Sequence, residues 1–100
     1  MTFLSEKEFV ILAILIANGE SFGLDMAKKS DGQLKVGTIY PTLHRMEEKG
    51  LVTSREVPGS KTDTKMPRRV YKATLEGEKT HKLKYERLFN LLKLLEKLQK

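Results

Sequence analysis

The side chains best suited to chemistry here are hydrogen-bonding and cationic, and they fall in two neighbouring stretches. Wound at 100° per residue, the stretch after Lys35 sets Ile39, Leu43 and Met46 on one face at i, i+4 and i+7. The opposite face carries Gly37, Pro41, His44, Arg45 and Glu48, flanked by Thr38 and Tyr40. That face is small or hydrogen-bonding near the start of a helix. There a recognition helix meets base edges in the major groove, and partial positive charge attracts phosphate. Further on, Lys61, Lys65, Arg68, Arg69 and Lys72 set five positive charges against Asp63 alone within twelve residues. Such a cluster can straddle phosphates and fix register without reading sequence. Singly, each stretch has a plain explanation, because helices need solvated faces and lysines guard sheet edges. Adjacent in one architecture, they point to double-stranded DNA as the partner.

Charge distribution agrees. The chain has 100 residues and a formal net charge of +6. Lys7 against Glu6, Glu8, Glu20 and Asp25 gives residues 1–27 a net of −3, so residues 28–100 carry +9. Phosphates neutralised by such a segment release counterions. Other chemistries find little support. With no cysteine, disulfides and thiolate metal sites are excluded and a reducing, cytoplasmic location is expected. His44 and His81 are the only imidazoles, 37 positions apart, and nothing in that spacing makes a metal site. No nucleophile–base pair or glycine-rich phosphate loop is discernible, so neither an enzyme nor a cofactor is expected. The apolar run Phe9–Ala17 is half a bilayer span and follows acidic Glu6 and Glu8, so no membrane or targeting segment is expected.

The elements that must position these residues are legible in outline. Ser5 with Glu8 three residues on is a capping-box pattern, predicting a helix from about Glu6 to Ala17 that ends at Asn18-Gly19. Its body is apolar all round, so something beyond its own core is expected to cover a second face. Ser21 is read as the cap of a short helix from Phe22 to about Lys29, broken by Ser30-Asp31-Gly32. A third helix runs from Val36 or Gly37 to Lys49. Pro41 is acceptable only in a first turn, which fixes the start near Thr38. Leu51–Val57 and Arg68–Thr74 read as the strands of a hairpin around a polar loop from Pro58 to Pro67. From Leu75 the chain is helical to its end, with Thr74 as cap and Gly77 early enough to be tolerated. The fold class is therefore α+β, mainly α: a winged helix-turn-helix of three helices plus a β-hairpin wing, with a C-terminal dimerisation helix. Residues 1–74 form the DNA-binding domain and 75–100 the dimerisation helix.

The last helix carries a seam at Tyr85, Leu88, Leu92 and Leu95, widened by Leu91 and Leu98. Paired across a two-fold axis with Phe9, Leu12 and Ile16 of the first helix, it would bury both exposed surfaces, so a homodimer is expected.

The run Gly37-Thr38-Ile39-Tyr40-Pro41-Thr42-Leu43 through Val52, then Pro67–Thr74 with Gly77, resembles the PadR family of transcriptional regulators. Phe22-Gly23-Leu24-Asp25 resembles that family's opening of the second helix, and the likeness spans roughly residues 5–78. The resemblance implies a homodimeric repressor whose C-terminal helix packs on the partner's first helix. It also implies DNA contacts through Thr38, Tyr40, Pro41, His44 and Arg45, and through Lys65, Arg68 and Arg69. In two respects the chain is distinctive. Its wing loop is poorer in glycine and arginine than is usual, and its single-helix tail resembles the short, small-ligand-responsive branch. Drug-binding members of that branch stack ligands on tryptophan, which this chain lacks. Two other functions fit the same residues: a sensor with a small hydrophobic effector among Tyr85, Leu88, Phe89 and Leu92, or an adaptor that coats DNA, as in plasmid partition, without gating a promoter.

Overall fold

The computed structural model describes residues 3–58 and 68–99. Helix α1 (Glu6–Asn18) begins as the capping box requires. The Ser5 hydroxyl accepts from the Glu8 N–H at 3.2 Å, and the Glu8 carboxylate accepts from the Ser5 N–H at 2.9 Å. The other Glu8 oxygen accepts from Lys49 Nζ at 2.8 Å, although Glu8 is only 4% exposed. Burial pushes the Glu8 carboxyl up, but the Lys49 and Ser5 hydrogen bonds more than offset this and hold it below its ordinary value.

After Gly19, which ends α1 at φ 77°, the chain departs from expectation. Ser21 caps nothing: its hydroxyl donates to the Gly19 carbonyl, and Ser21–Phe22 form a short strand, β1. The cause is a pairing no local pattern reveals, Ser21 with Tyr71 and Phe22 with Val70. Helix α2 (Gly23–Lys29) follows with Phe22 at the cap position and no side-chain cap. Ser30 then makes the turn, donating to the Ala27 carbonyl at 2.7 Å and accepting from the Leu34 N–H at 2.9 Å. Asp31 and Gly32 take positive φ there, a conformation open to Asp and Gly.

Helix α3 (Val36–Glu48) starts two residues earlier than Pro41 was expected to permit, leaving Pro41 inside the helix at the sixth position. Its missing N–H deprives the Gly37 carbonyl of its helical donor. Gly37 is exposed with open space around it, so water can replace that donor and the interior proline is tolerated.

The hairpin strands β2 (Val52–Val57) and β3 (Arg68–Ala73) pair antiparallel in a register running from Val52 with Ala73 to Val57 with Arg68. β1 adds to the other side of β3, giving the order β1-β3-β2. Ile11, Leu12, Leu15, Met26, Ile39, Leu43, Met46, Leu51 and Val52 make the core between helices and sheet. The expected core residues of α3 are all in it.

Helix α4 (Leu75–Leu98) is capped by Thr74, whose hydroxyl accepts from the Gly77 N–H at 3.0 Å. Gly77 is required rather than merely tolerated. A Cβ there would collide with the Leu51 carbonyl oxygen and come within 3.1 Å of Leu12 Cδ2. This contact corrects two expectations. Leu12 is fully enclosed in its own chain, so it is not available to a second copy. And α1 takes much of its cover from α4: His81 stacks on Phe9 with ring centroids 4.5 Å apart, and Lys84 Nζ donates to the Leu4 carbonyl at 2.6 Å. Burial holds the His81 imidazole below its ordinary 6.5. Its Nε2 has no partner among the described residues. No described helix is long and apolar enough to cross a membrane.

Candidate nucleic-acid interface

The site is built from the outside of α3 and the base of the hairpin. Because Ile39, Thr42, Leu43 and Met46 point inward, Lys35, Thr38, Tyr40, Pro41, His44 and Arg45 are all on the exposed side. Thr42 was not anticipated. Its hydroxyl, almost fully buried, donates to the Thr38 carbonyl at 2.9 Å and accepts from Arg45 Nη2 at 3.3 Å. Arg45 is thereby leaned along the helix. His44 Nε2 lies 3.7 Å from the Glu48 carboxylate, with both side chains largely exposed. The α3 N-terminus has no side-chain cap, since the Lys35 ammonium cannot accept hydrogen bonds, although the Lys35 carbonyl accepts from the Thr38 and Ile39 N–H groups at 3.0 Å.

Tyr40 is held by a residue on another helix. Its ring passes so close to Gly23 that a Cβ there would sit 2.7 Å from Tyr40 Cε1. Gly23 is thus a space that the ring fills, while Tyr40 as a whole stays exposed. Phe22, immediately before it, lies beneath the Arg68 guanidinium, 4.1 Å from carbon to ring centroid. One dipeptide therefore touches the exposed helix on one side and the root of the wing on the other. Neither contact was anticipated from sequence. The only signal was the family resemblance at Phe22-Gly23, which says nothing of what the two residues touch.

The remaining cations divide by partner. Arg69 reaches Glu56, its opposite number across the ladder, at 4.0 Å. Arg55 makes a two-pronged contact with Glu20, at 2.9 and 3.1 Å, which holds the Glu20 carboxyl below its usual range. Lys72 is exposed. Lys61 and Lys65 lie outside the described residues. Of the residues expected to meet a second copy, Phe9 is half-buried against His81. Ile16, Tyr85, Leu88, Leu91, Leu92, Leu95 and Leu98 remain exposed, from 39% at Leu88 to 69% at Leu98. Among the described residues no cluster of three His, Asp or Glu is placed to hold a metal ion.

Solved structures resemble this arrangement over most of the chain. A PadR family transcription regulator from hypervirulent Clostridium difficile R20291 is 25% identical, with a TM-score of 0.77 over 96% of this chain and 100% of that one. A transcriptional regulator from Clostridium thermocellum is 29% identical, with a TM-score of 0.71 over 95% and 97% of the two chains. PadR of Bacillus subtilis, crystallised in complex with operator DNA, is 23% identical. That likeness is one of fold, with a TM-score of 0.68 over 81% of this chain and 47% of that one. No curated protein matches the sequence. The model of the transcriptional regulator PadR-like family matches residues 11–83, from the middle of α1 into α4, and the chain therefore belongs to that family.

Proposed function

We propose that the chain is a dimeric, sequence-specific DNA-binding protein of the cytoplasm that represses transcription, with no catalytic role. The observation that carries this reading is the joint placement of the exposed face of α3 and Arg68 on the two sides of the Phe22–Gly23 dipeptide. Base edges would be read by Thr38, Tyr40, Pro41, His44 and Arg45. Phosphates would be held by Lys35, Arg68 and Arg69, and by Lys61 and Lys65 of the wing. Bacillus subtilis PadR, a protein of similar fold, was crystallised in complex with operator DNA, which supports DNA as the partner.

Residues 1–74 would act as the DNA-binding unit and 75–100 as the dimerisation helix. The second copy would cover the apolar face of α4 together with Phe9 and Ile16. Leu91, Leu92, Leu94 and Leu98 are each at least half exposed, more apolar surface in one strip than a soluble monomer usually keeps. Two recognition helices would then address half-sites about 34 Å apart.

Selection of bound duplexes from a random pool tests the reading. A two-fold symmetric motif should emerge, its affinity falling with salt by several log units per log unit of concentration. Absence of any enriched sequence, or a salt slope near zero, would overturn it. Sedimentation at micromolar concentration tests the dimer, and a monomer with undiminished affinity for the palindrome would exclude it.

A further inference from the structure

β1 is not needed to close the hairpin, which β2 and β3 complete across six paired positions. What its two residues bring to the sheet is Phe22. Phe22 pairs with Val70, and Arg68 is two residues away on the same face of β3, the diagonal position that long and aromatic side chains can reach. The guanidinium uses that reach to lie over the ring. Among the described residues it has no carboxylate partner, whereas Arg55 and Arg69 each have one. Stacking occupies the face of a guanidinium and leaves its N–H donors free around the edge, the part that grips a phosphate in two-pronged fashion. A lysine could not do both.

We propose that Phe22 is a positioning residue for DNA. Its ring holds the Arg68 guanidinium over it at the root of the wing with donors free for a phosphate, at a fixed offset from Tyr40, which rests on the adjoining Gly23. This rests on the DNA-binding reading above. It adds that Arg68 works as an oriented clamp rather than as loose positive charge, and that α2 and the wing are set against each other through one aromatic ring.

The test is a double-mutant cycle on a labelled duplex carrying the selected site, read by fluorescence anisotropy at fixed salt. Phe22→Leu should weaken binding about fivefold and Phe22→Tyr should leave it near wild type, the size expected of a half-exposed cation–ring contact. In an Arg68→Ala background, Phe22→Leu should have no further effect. Arg68→Lys, which keeps the charge and loses the planar fork, should fall close to Arg68→Ala. Additive effects of Phe22→Leu and Arg68→Ala, with wild-type binding intact, would overturn the proposal while leaving the DNA-binding reading in place. So would an Arg68→Lys variant that binds like wild type, and this variant decides the matter even if Phe22→Leu fails to fold. A wild-type chain that binds no duplex would overturn both readings.

Discussion

Replacing Gly77 by alanine should destabilise the protein, although a helical glycine ordinarily gains from that change. In a helix interior Ala is favoured over Gly by about 1 kcal/mol, and at the third position of α4 the gain is no larger. Against that gain stands a steric cost of greater size. The new Cβ would meet the Leu51 carbonyl oxygen, and that oxygen cannot withdraw: it accepts from the Thr74 N–H at 3.1 Å, while the Leu51 N–H is tied to the Met46 carbonyl at 2.9 Å. Leu51 itself is fully buried. Relief requires α4 to lift from the domain, loosening its contacts with Leu12 and Phe9. Overpacking of this kind costs about 1–3 kcal/mol, and a contact with fixed backbone belongs at the upper end. The net loss of roughly 1–2 kcal/mol corresponds to a melting temperature lower by about 5–15 °C in a domain of this size. Gly37→Ala is the control. That glycine is also helical, but nothing lies within 4 Å of its Cβ position, so the same substitution should raise stability by about 0.5 kcal/mol. Thermal unfolding followed by circular dichroism reads both. A Gly77→Ala protein as stable as Gly37→Ala would refute the close approach of α4 to Leu51.

Three further outcomes are expected. Gly23→Ala should fold normally, because the atoms it displaces are the exposed end of Tyr40, yet lose discrimination between cognate and mismatched duplexes as Tyr40→Ala does, by about 1–3 kcal/mol per lost base contact; unchanged discrimination would place Tyr40 outside the interface. Leu92→Ala should leave the fold of the single chain alone, since Leu92 is 60% exposed, but weaken the dimer by about 2–5 kcal/mol for each of two buried copies. Sedimentation equilibrium against Lys93→Ala checks this, and equal dissociation constants would count against the seam. Because burial depresses the His81 pKa, the unfolded chain takes up the proton more readily. Stability should therefore be level above about pH 7 and fall as pH drops below the unfolded value near 6.5, with Glu8 adding a loss below 4.5. His81→Phe should flatten the decline between pH 7 and 5, and an unaltered profile would rule His81 out as its source.

Features whose cause lies within a few residues are legible without the fold. Ser5 and Glu8 mark the start of α1 because both halves of the box are local, and Ile39, Leu43 and Met46 define the buried side of α3 by period alone. Two of the three departures have their cause in distant partners. Ser21 has the chemistry of a cap, but its backbone is claimed by Tyr71, fifty positions on, and the pairing prevails. Pro41 is the local exception: it belongs in a first turn only if a missing donor is costly, and four residues back Gly37 is exposed, where water can replace that donor. Leu12 reads as available because α1 is apolar all round, and only the descent of α4 onto Leu51 shows that it is enclosed. The face of α3 is legible as a set of exposed polar residues. What holds Tyr40 and Arg68 in place is not, because a glycine under a ring and a ring under a guanidinium leave no periodicity.

The contact at Gly77 also makes helical phase a property of assembly. The first turn of α4 is locked against the domain by bare backbone at Gly77, and the leucines of the proposed seam begin, at Leu88, about three turns later on the same uninterrupted helix. A single residue inserted between Tyr85 and Leu88, beyond the His81 and Lys84 contacts, would leave the domain untouched and swing every leucine beyond it by about 100° around the axis. Seven inserted residues would nearly restore the direction of the seam and displace the partner by about 10 Å along it. Drift in the length of this segment would therefore be punished in steps rather than gradually. Operators with different half-site spacings would be reached by whole-heptad jumps, with intermediate lengths yielding chains that fold and cannot pair.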